Sequence, residues 1–409
     1  MASTTSLPPL EATPLRSEPA CRRKPVVLTL ITSLWPGNDA SGWNISIAAL
    51  TEALQDEFEF LAVSRDRPFG APAPSASSGE WFAWRSGRVR YCAPGALGVK
   101  GLAKILREIP YDLLLLNGFH DRHFTIPALL LRRFGLAPRR ATILSPRGEF
   151  SAGALGLKAG RKAAYQTTAR RLGLLSDVWL HATSEDEAAE FERGFPYARR
   201  IAVAPDFGMP LEPLAHRSAP PGPLRIVFLG RVSRVKNLDL ALRALAHVTA
   251  PVAFDIYGPL QDAAYWAECE RLIAALPASI SAHHCGEIAN ECAPELLAAT
   301  DLLFLPSRSE NFGHAIFEAL SCGAPVLIGD ATPWRDLEAD SAGWDLPLGD
   351  PTVFAKKIDA LAAMDESARA LLRAGARAKA EAFVRASDAV RRTKEMLRAA
   401  LAERGACAG

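Results

Sequence analysis

Short, almost uninterrupted apolar runs alternate with helical segments along nearly the whole chain, and no other pattern restricts the fold so strongly. In the first half the runs are Pro25–Ile31, Phe58–Val63, Tyr111–Leu116, Ala141–Leu144, Asp177–Ala182 and Ile201–Ala204. Between them, Asn44–Leu54, Val99–Arg107, Thr125–Arg133, Leu155–Leu174 and Ser184–Arg193 read as helices, the last capped by Ser184. Strands this apolar must be covered on both faces, which implies parallel sheets sandwiched by helices.

The rhythm restarts at Arg225–Gly230. It continues through strands at Val252–Gly258, Ile280–Cys285, Leu302–Pro306 and Pro325–Ile328, with helices at Asn237–Val248, Tyr265–Ala275, Cys292–Ala298 and Gly313–Cys322. Helices fill most of residues 351–401. A length of 409 residues suits two domains. The expected organisation is a disordered tail over 1–24, a domain over 25–210, a Pro-rich linker over 211–223, a second domain over 224–385, and a terminal helix over 386–409 packing back on the first domain. The expected class is α/β, two Rossmann-like doubly wound domains facing across a cleft.

Seven scattered cysteines with no C-x-x-C pair argue against a disulfide framework and for a reducing compartment. Residues 1–24 lack the apolar core of a signal peptide, and no run approaches the roughly 18 apolar residues of a spanning helix. A cytoplasmic location is therefore expected.

Ligands of open α/β sheets bind at the carboxyl ends of strands. Three such junctions in the second half stand out. Gly230-Arg231 to Lys236-Asn237 places two cations beside a helix start. That is either a solvated basic loop or a diphosphate site, because cations neutralise phosphate and free amides donate to it. Asp255 to Pro259 runs through Gly258, as a simple turn or a close backbone approach to a ligand. The third, Leu305 to Val326, carries Glu310 in a polar loop and Glu318 inside the following helix, whose neighbours Ile316, Phe317, Ala319 and Leu320 are apolar. A carboxylate there needs a partner or a ligand, and a polyhydroxylated ligand fits, since carboxylates accept hydrogen bonds from paired hydroxyls.

On these residues the second half resembles retaining glycosyltransferase family 4, of the GT-B fold. Glu310 and Glu318 match its E-x7-E signature, Gly230, Arg231 and Lys236 its phosphate segment, and Gly323-Ala-Pro325-Val the run after the helix, over roughly residues 225–345. The first half resembles the family more weakly, through Ser145-Pro-Arg147-Gly148 and His181 to Glu185. The resemblance implies a sugar transferred from a UDP- or GDP-linked donor to a glycan or lipid-linked glycan, in cell-surface polysaccharide biosynthesis. It implies that Arg231 and Lys236 hold the donor diphosphate, that Glu318 holds the ribose, and that Glu310 contacts the transferred sugar catalytically. Amides near Phe312, Gly313 and His314 would position that sugar. His120, with His123 as rival, would correspond to a catalytic histidine, and Gly42 to a cleft-loop glycine. A second glycine usual in that loop is absent from Asp39-Ala-Ser-Gly42-Trp43. No metal is expected, in keeping with the absence of a D-x-D triplet. Rival readings are a GT-B-fold epimerase, a phosphorylase, for which no pyridoxal-phosphate lysine motif is seen, and a catalytically silent nucleotide- or glycan-binding protein.

Residues 131–171 hold ten Lys and Arg against Glu149 alone. They form either a solvated face or an attraction to anionic lipid at the inner membrane surface or to a pyrophosphate-linked acceptor. Nucleic acid is not expected, since no aromatic reading surface accompanies the charge. His283-His-Cys285 with Cys292 matches no zinc spacing.

Overall fold

The computed structural model describes residues 23–34, 42–68, 73–150, 159–208, 222–289 and 292–406. Most of the expected tail, the loop over 35–41, Lys158 and most of the Pro-rich linker lie outside these residues. The chain divides into one unit of residues up to Phe207 together with Asp388–Gly409, and another of Gly208–Ser387.

The first unit contains β1 (Val26–Leu30), α1 (Gly42–Leu54), β2 (Glu59–Arg65), β3 (Trp81–Trp84), β4 (Gly87–Cys92), α2 (Val99–Glu108), β5 (Leu113–Asn117), α3 (Thr125–Arg133), β6 (Ala141–Ser145), α4 (Ala159–Leu172), β7 (Trp179–Ala182), α5 (Glu185–Gly194) and β8 (Ile201–Val203). Its eight strands are ordered β3-β4-β2-β1-β5-β6-β7-β8, and only the β3–β4 pair is antiparallel.

The alternation of side chains across a strand builds two cores on this sheet. Leu28, Leu30, Leu61, Val63, Leu114 and Leu116 face α2, α3, α4 and α5. Val27, Phe60, Ala62, Leu115 and Ile143 face α1 and the terminal helix, which contributes Met396, Leu397 and Ala400. Ser184 caps α5, its side chain accepting from the Glu187 amide.

The β3–β4 hairpin was not expected from the sequence. Its signal is local: Val89 and Tyr91 are buried while Arg88 and Arg90, alternating with them, are less so, and Arg85 turns the chain with a φ of 51°. Six residues of mixed charge and aromaticity carry that period weakly.

The second unit contains β9 (Leu224–Leu229), α6 (Leu238–Leu245), β10 (Val252–Tyr257), α7 (Ala263–Ala274), β11 (Ile280–Gly286), α8 (Ala293–Ala298), β12 (Leu302–Leu305), α9 (His314–Ser321), β13 (Val326–Gly329), β14 (Gly343–Leu346), α10 (Pro351–Ala363) and α11 (Glu366–Ala386). Its six strands are all parallel, in the order β11-β10-β9-β12-β13-β14. The final helix, α12 (Ala389–Ala406), belongs to the first unit. It is pinned there by Glu403, which accepts from Trp179 and Arg200, and by Lys394 and Arg398 on Glu57.

Each sheet reverses direction once. In the first the chain leaves β1 toward β2 and returns to β5 on its other side; in the second it leaves β9 toward β10 and returns to β12. These reversals are the topological switch points, where adjacent loops leave in opposite directions and open a crevice at the carboxyl ends of the strands.

Candidate functional site

At the switch point of the second unit, the loop after β9 meets the loop after β12. Four hydrogen bonds stitch them. The Arg308 amide donates to the Val235 carbonyl at 2.8 Å, Asn237 Nδ2 to the Pro306 carbonyl at 3.1 Å, Arg308 Nε to Asn237 Oδ1 at 3.0 Å, and Lys236 Nζ to Glu310 Oε1 at 2.5 Å. The last is a half-buried ion pair, with the Lys236 side chain 17% and the Glu310 side chain 10% exposed.

Asn237 acts as a tie rather than a helix cap. It occupies the position before α6 with a left-handed φ of 60°, but its side chain makes no cap bond to the helix and instead ties the two loops together. Asparagine tolerates that conformation better than most residues.

Arg231 lies on the same loop, exposed, its one hydrogen bond among the described residues a 3.5 Å contact to Gln261. The surrounding protein lowers its pKa, and the charge of Glu310 opposes that change. The adjacent strand ends are bare. Gly258, at φ +140°, is so close to the loop that a Cβ would stand 2.1 Å from the Gly230 carbonyl oxygen. Its amide donates to the Gly286 carbonyl, and the Gly230 amide to the Tyr257 carbonyl. Glycines therefore top β9, β10 and β11 in turn, and Gly258 lets the β10 end pack directly on the Gly230 backbone.

Helix α9 starts beside Glu310. Gly313 precedes it with φ +81°, and a Cβ there would meet Ile316 Cδ1 at 2.9 Å. Trp334 Nε1 donates to the Phe312 carbonyl at 2.6 Å and fixes the turn. The Phe312 ring is 5% exposed and packs on Phe317, Trp334 and Phe383. It is therefore a core side chain, and only its backbone is available to a ligand. The His314 ring lies against Phe312, their centroids 4.6 Å apart.

Glu318 is half-buried among the apolar residues of α9, and its carboxyl makes no hydrogen bond or ion pair among the described residues. Burial alone pushes its pKa up to about 7. An unpartnered carboxylate that is costly to ionise is the mark of a group kept for a ligand.

In the first unit the loop after β5 carries His120. Its ring Nδ1 lies 3.1 Å from Glu149 Oε2, and its backbone amide donates to the same oxygen at 2.9 Å. Its Nε2 is buried and unpartnered among the described residues. A carboxylate on Nδ1 favours the proton there and leaves Nε2 as an acceptor. His123, the rival, instead accepts at Nε2 from Arg122 Nε at 3.1 Å. Gly42 is the first residue of α1 rather than part of a loop.

The weaker motifs of this unit are structural ties. Arg147 is paired with Asp206 at 2.5 Å, both nearly buried. His181 bridges Ser145 and the Ala204 carbonyl. Glu187 accepts from the Gly148 and Thr183 amides. The basic segment is also less uniform than its composition suggests. Arg132 is 2% exposed and paired with Asp177, and Arg147 is internal, so neither contributes to a charged face. Arg133, Arg139, Arg140, Arg170 and Arg171 remain exposed, beside Phe134 and Leu136, which are 61% and 50% exposed.

Residues 215–378 match the family described as glycosyl transferases group 1. The match is confined to this region, and the two parallel-sheet units have the GT-B fold. Among curated proteins it is similar to a D-inositol 3-phosphate glycosyltransferase of Xylanimonas cellulosilytica, 30% identical over 194 residues, which are 45% of this chain and 42% of that one. It is also similar to a GDP-mannose-dependent alpha-(1-6)-phosphatidylinositol dimannoside mannosyltransferase of Mycobacterium tuberculosis, 30% identical over 131 residues, 31% of this chain and 32% of that one. The chain thus spans half or less of the length of the curated relatives it matches. Among solved structures, a sucrose-phosphate synthase from Thermosynechococcus elongatus superposes with a TM-score of 0.67 at 17% identity, covering 93% of this chain and all 100% of the other. HepE from Anabaena in complex with UDP-glucose gives 0.63 at 18% identity, covering 91% and 98%.

Proposed function

We propose that this chain is a retaining glycosyltransferase that moves a sugar from a UDP- or GDP-linked donor to a hydroxyl of a glycan or lipid-linked glycan in cell-surface polysaccharide biosynthesis. The observation that carries the reading is the stitched pair of loops at the second switch point. They set Lys236, Glu310 and Arg231 together, near a helix start and the Glu318 carboxyl, which has no partner among the described residues.

In this reading Arg231 and Lys236 bind the diphosphate, Glu318 accepts from the ribose hydroxyls, and Glu310 holds the sugar with backbone amides around Phe312, Gly313 and His314. His120 offers Nε2 to a hydroxyl of the reacting sugars. When the bond from the anomeric carbon to the diphosphate breaks, negative charge collects on the departing phosphate, and fixed cations and amides stabilise it there. No metal is needed for that task. The family match and the D-inositol 3-phosphate and mannosyl transferase relatives support the class of reaction, and HepE, solved with UDP-glucose, supports a nucleotide-sugar donor.

Purified protein screened against a panel of nucleotide sugars is expected to bind and slowly hydrolyse one of them, in a chelator as well as without it. Hydrolysis of none, with no nucleoside diphosphate bound, removes the reading; strict metal dependence removes its metal-free form.

We place the enzyme in the cytoplasm, touching the inner membrane face. No helix among the described residues is long and apolar enough to cross a membrane. The exposed arginines around Phe134 and Leu136 support contact with anionic lipid, because apolar side chains enter the interface while cations meet the headgroups. Flotation with phosphatidylserine vesicles is expected to carry the protein, and a Phe134→Asp, Leu136→Asp variant is expected to stay at the bottom. Equal flotation on neutral phosphatidylcholine alone counts against it.

A further inference from the structure

Strands β5 and β6 pair in register from Leu113↔Ala141 to Asn117↔Ser145, so the loops that follow them leave the carboxyl edge of the first sheet side by side. The Gly118 amide donates to the Ser145 carbonyl at 2.9 Å and starts the β5 loop against its neighbour. Gly118 has a φ of +75°, and a Cβ on it would stand 2.6 Å from the Trp43 ring and 3.1 Å from Glu149 Oε1. Only a residue without a side chain lets these two groups close over the strand end. His120 follows two residues later, and Glu149 arrives from the loop after β6.

One oxygen of Glu149 holds His120 twice. Oε2 accepts from the His120 backbone amide at 2.9 Å and lies 3.1 Å from ring Nδ1. Among the described residues the carboxylate has no other hydrogen bond or ion pair. The imidazole is walled by aromatic rings. Phe119 stands edge-on at 5.0 Å between centroids, Tyr165 edge-on at 5.9 Å, and Phe150 tilted at 6.1 Å. Phe119 packs in turn on Phe150 at 5.2 Å and on Tyr165 at 4.7 Å. A ring enclosed in this way turns only if its walls move. A carboxylate only accepts hydrogen bonds, so Nδ1 must carry the proton that faces it, and in the neutral ring Nε2 is then the acceptor. That Nε2 is the atom left without a partner among the described residues.

We propose that Glu149 is a positioning residue: by holding the amide and Nδ1 of His120 on one oxygen, it fixes the tautomer and orientation in which Nε2 accepts from a sugar hydroxyl. Glu149 acts through the imidazole and touches neither sugar. Its part in transfer rests on the glycosyl-transfer reading; its hold on the ring does not.

Long-range proton–nitrogen NMR of the full chain, carrying isotope-labelled histidine at pH 8, tests the hold. The His120 signals are identified by their loss in His120→Ala. The unaltered chain is expected to show a protonated Nδ1 and a bare Nε2. Glu149→Gln, whose amide can donate to Nδ1, is expected to move the proton to Nε2, and Glu149→Asp to keep it on Nδ1. A proton on Nε2 in the unaltered chain, or an unchanged spectrum in Glu149→Gln, overturns the proposal. The spectrum of the unaltered chain decides by itself where a variant fails to fold. Rates read the part in transfer. For the nucleotide sugar that the chain hydrolyses, Glu149→Gln is expected to lower kcat by about ten- to a hundredfold with little change in KM, the cost typical of losing the partner that orients an imidazole. Added to His120→Ala, the same change is expected to cost nothing more, because its effect runs through the ring. An equal further loss there makes Glu149 a direct contact and overturns positioning. A bare Nε2 with no donor hydrolysed removes the transfer reading and leaves the hold; hydrolysis with the proton on Nε2 removes the hold and leaves the transfer reading.

Discussion

Glu310→Gln is expected to lower sugar transfer by about a thousandfold while the variant binds nucleoside diphosphate at least as tightly as the unaltered chain. The first effect is the size expected when a contact made to the reacting group is lost. The second follows from the ion pair. Lys236 is paired with Glu310, so a diphosphate competes with a half-buried carboxylate for the ammonium. Glutamine keeps the shape, removes the charge and frees Lys236 for phosphate. Calorimetry with the diphosphate and a transfer assay on the same preparation decide it. If affinity falls in step with activity, Glu310 serves phosphate binding and not the sugar; if turnover is unimpaired, it serves neither. The companion change Lys236→Ala has the opposite signature, losing about a hundredfold in diphosphate affinity, because a charge-assisted contact goes and an uncompensated carboxylate faces the phosphates.

The second large effect concerns Glu318 and pH. Its carboxyl has a pKa of about 7 in the folded chain against an ordinary 4.5, through burial. A folded-state pKa raised above the unfolded value contributes stability below about pH 4.5 that disappears as pH rises through about 7, so at pH 8 the fold carries a desolvated carboxylate at a cost of about 3 kcal/mol. Glu318→Gln should therefore raise the melting temperature by roughly 2–4 °C at pH 8 and leave it unchanged at pH 4. Ligand binding should run the other way. The ionised carboxylate is the form that accepts two hydroxyl protons, so affinity for the donor should fall about tenfold for each pH unit below 7. A nucleotide sugar suits the measurement because its diphosphate does not titrate in that range. In Glu318→Gln the affinity should be weaker at pH 8 and the slope should vanish. A slope that persists in the variant would assign the titration to another group.

Both residues were legible in the sequence because each has a local signature. Glu318 interrupts an apolar helix, and Glu310 sits eight residues before it in a polar loop after an apolar strand. Arg231 and Lys236 were legible as cations at a strand end. Their convergence was not, because the bonds that stitch the loops span about seventy positions; Asn237 reaches Pro306 and Arg308 through no pattern a local window contains. The pairing of His120 with Glu149, 29 residues apart, was hidden for the same reason. Charge was the least reliable guide. Arg132 and Arg147 look like surface residues by type, yet each is buried against an aspartate, and burial of an arginine depends on a partner that the sequence does not place beside it. Phe134 and Leu136 err in the other direction, extending the apolar run of α3 past its last turn into solvent.

Helix α12 makes the first unit discontinuous along the chain. Met396, Leu397 and Ala400 complete the core on one face of a sheet whose first strand begins at Val26. Emerging from a ribosome, that sheet would wait with this face incompletely covered while the whole of Gly208–Ser387 is made. The unit begun first is the last to be finished, so the second unit can fold ahead of its neighbour. Early termination before residue 389 would therefore damage the opposite end of the sequence rather than the nearest one.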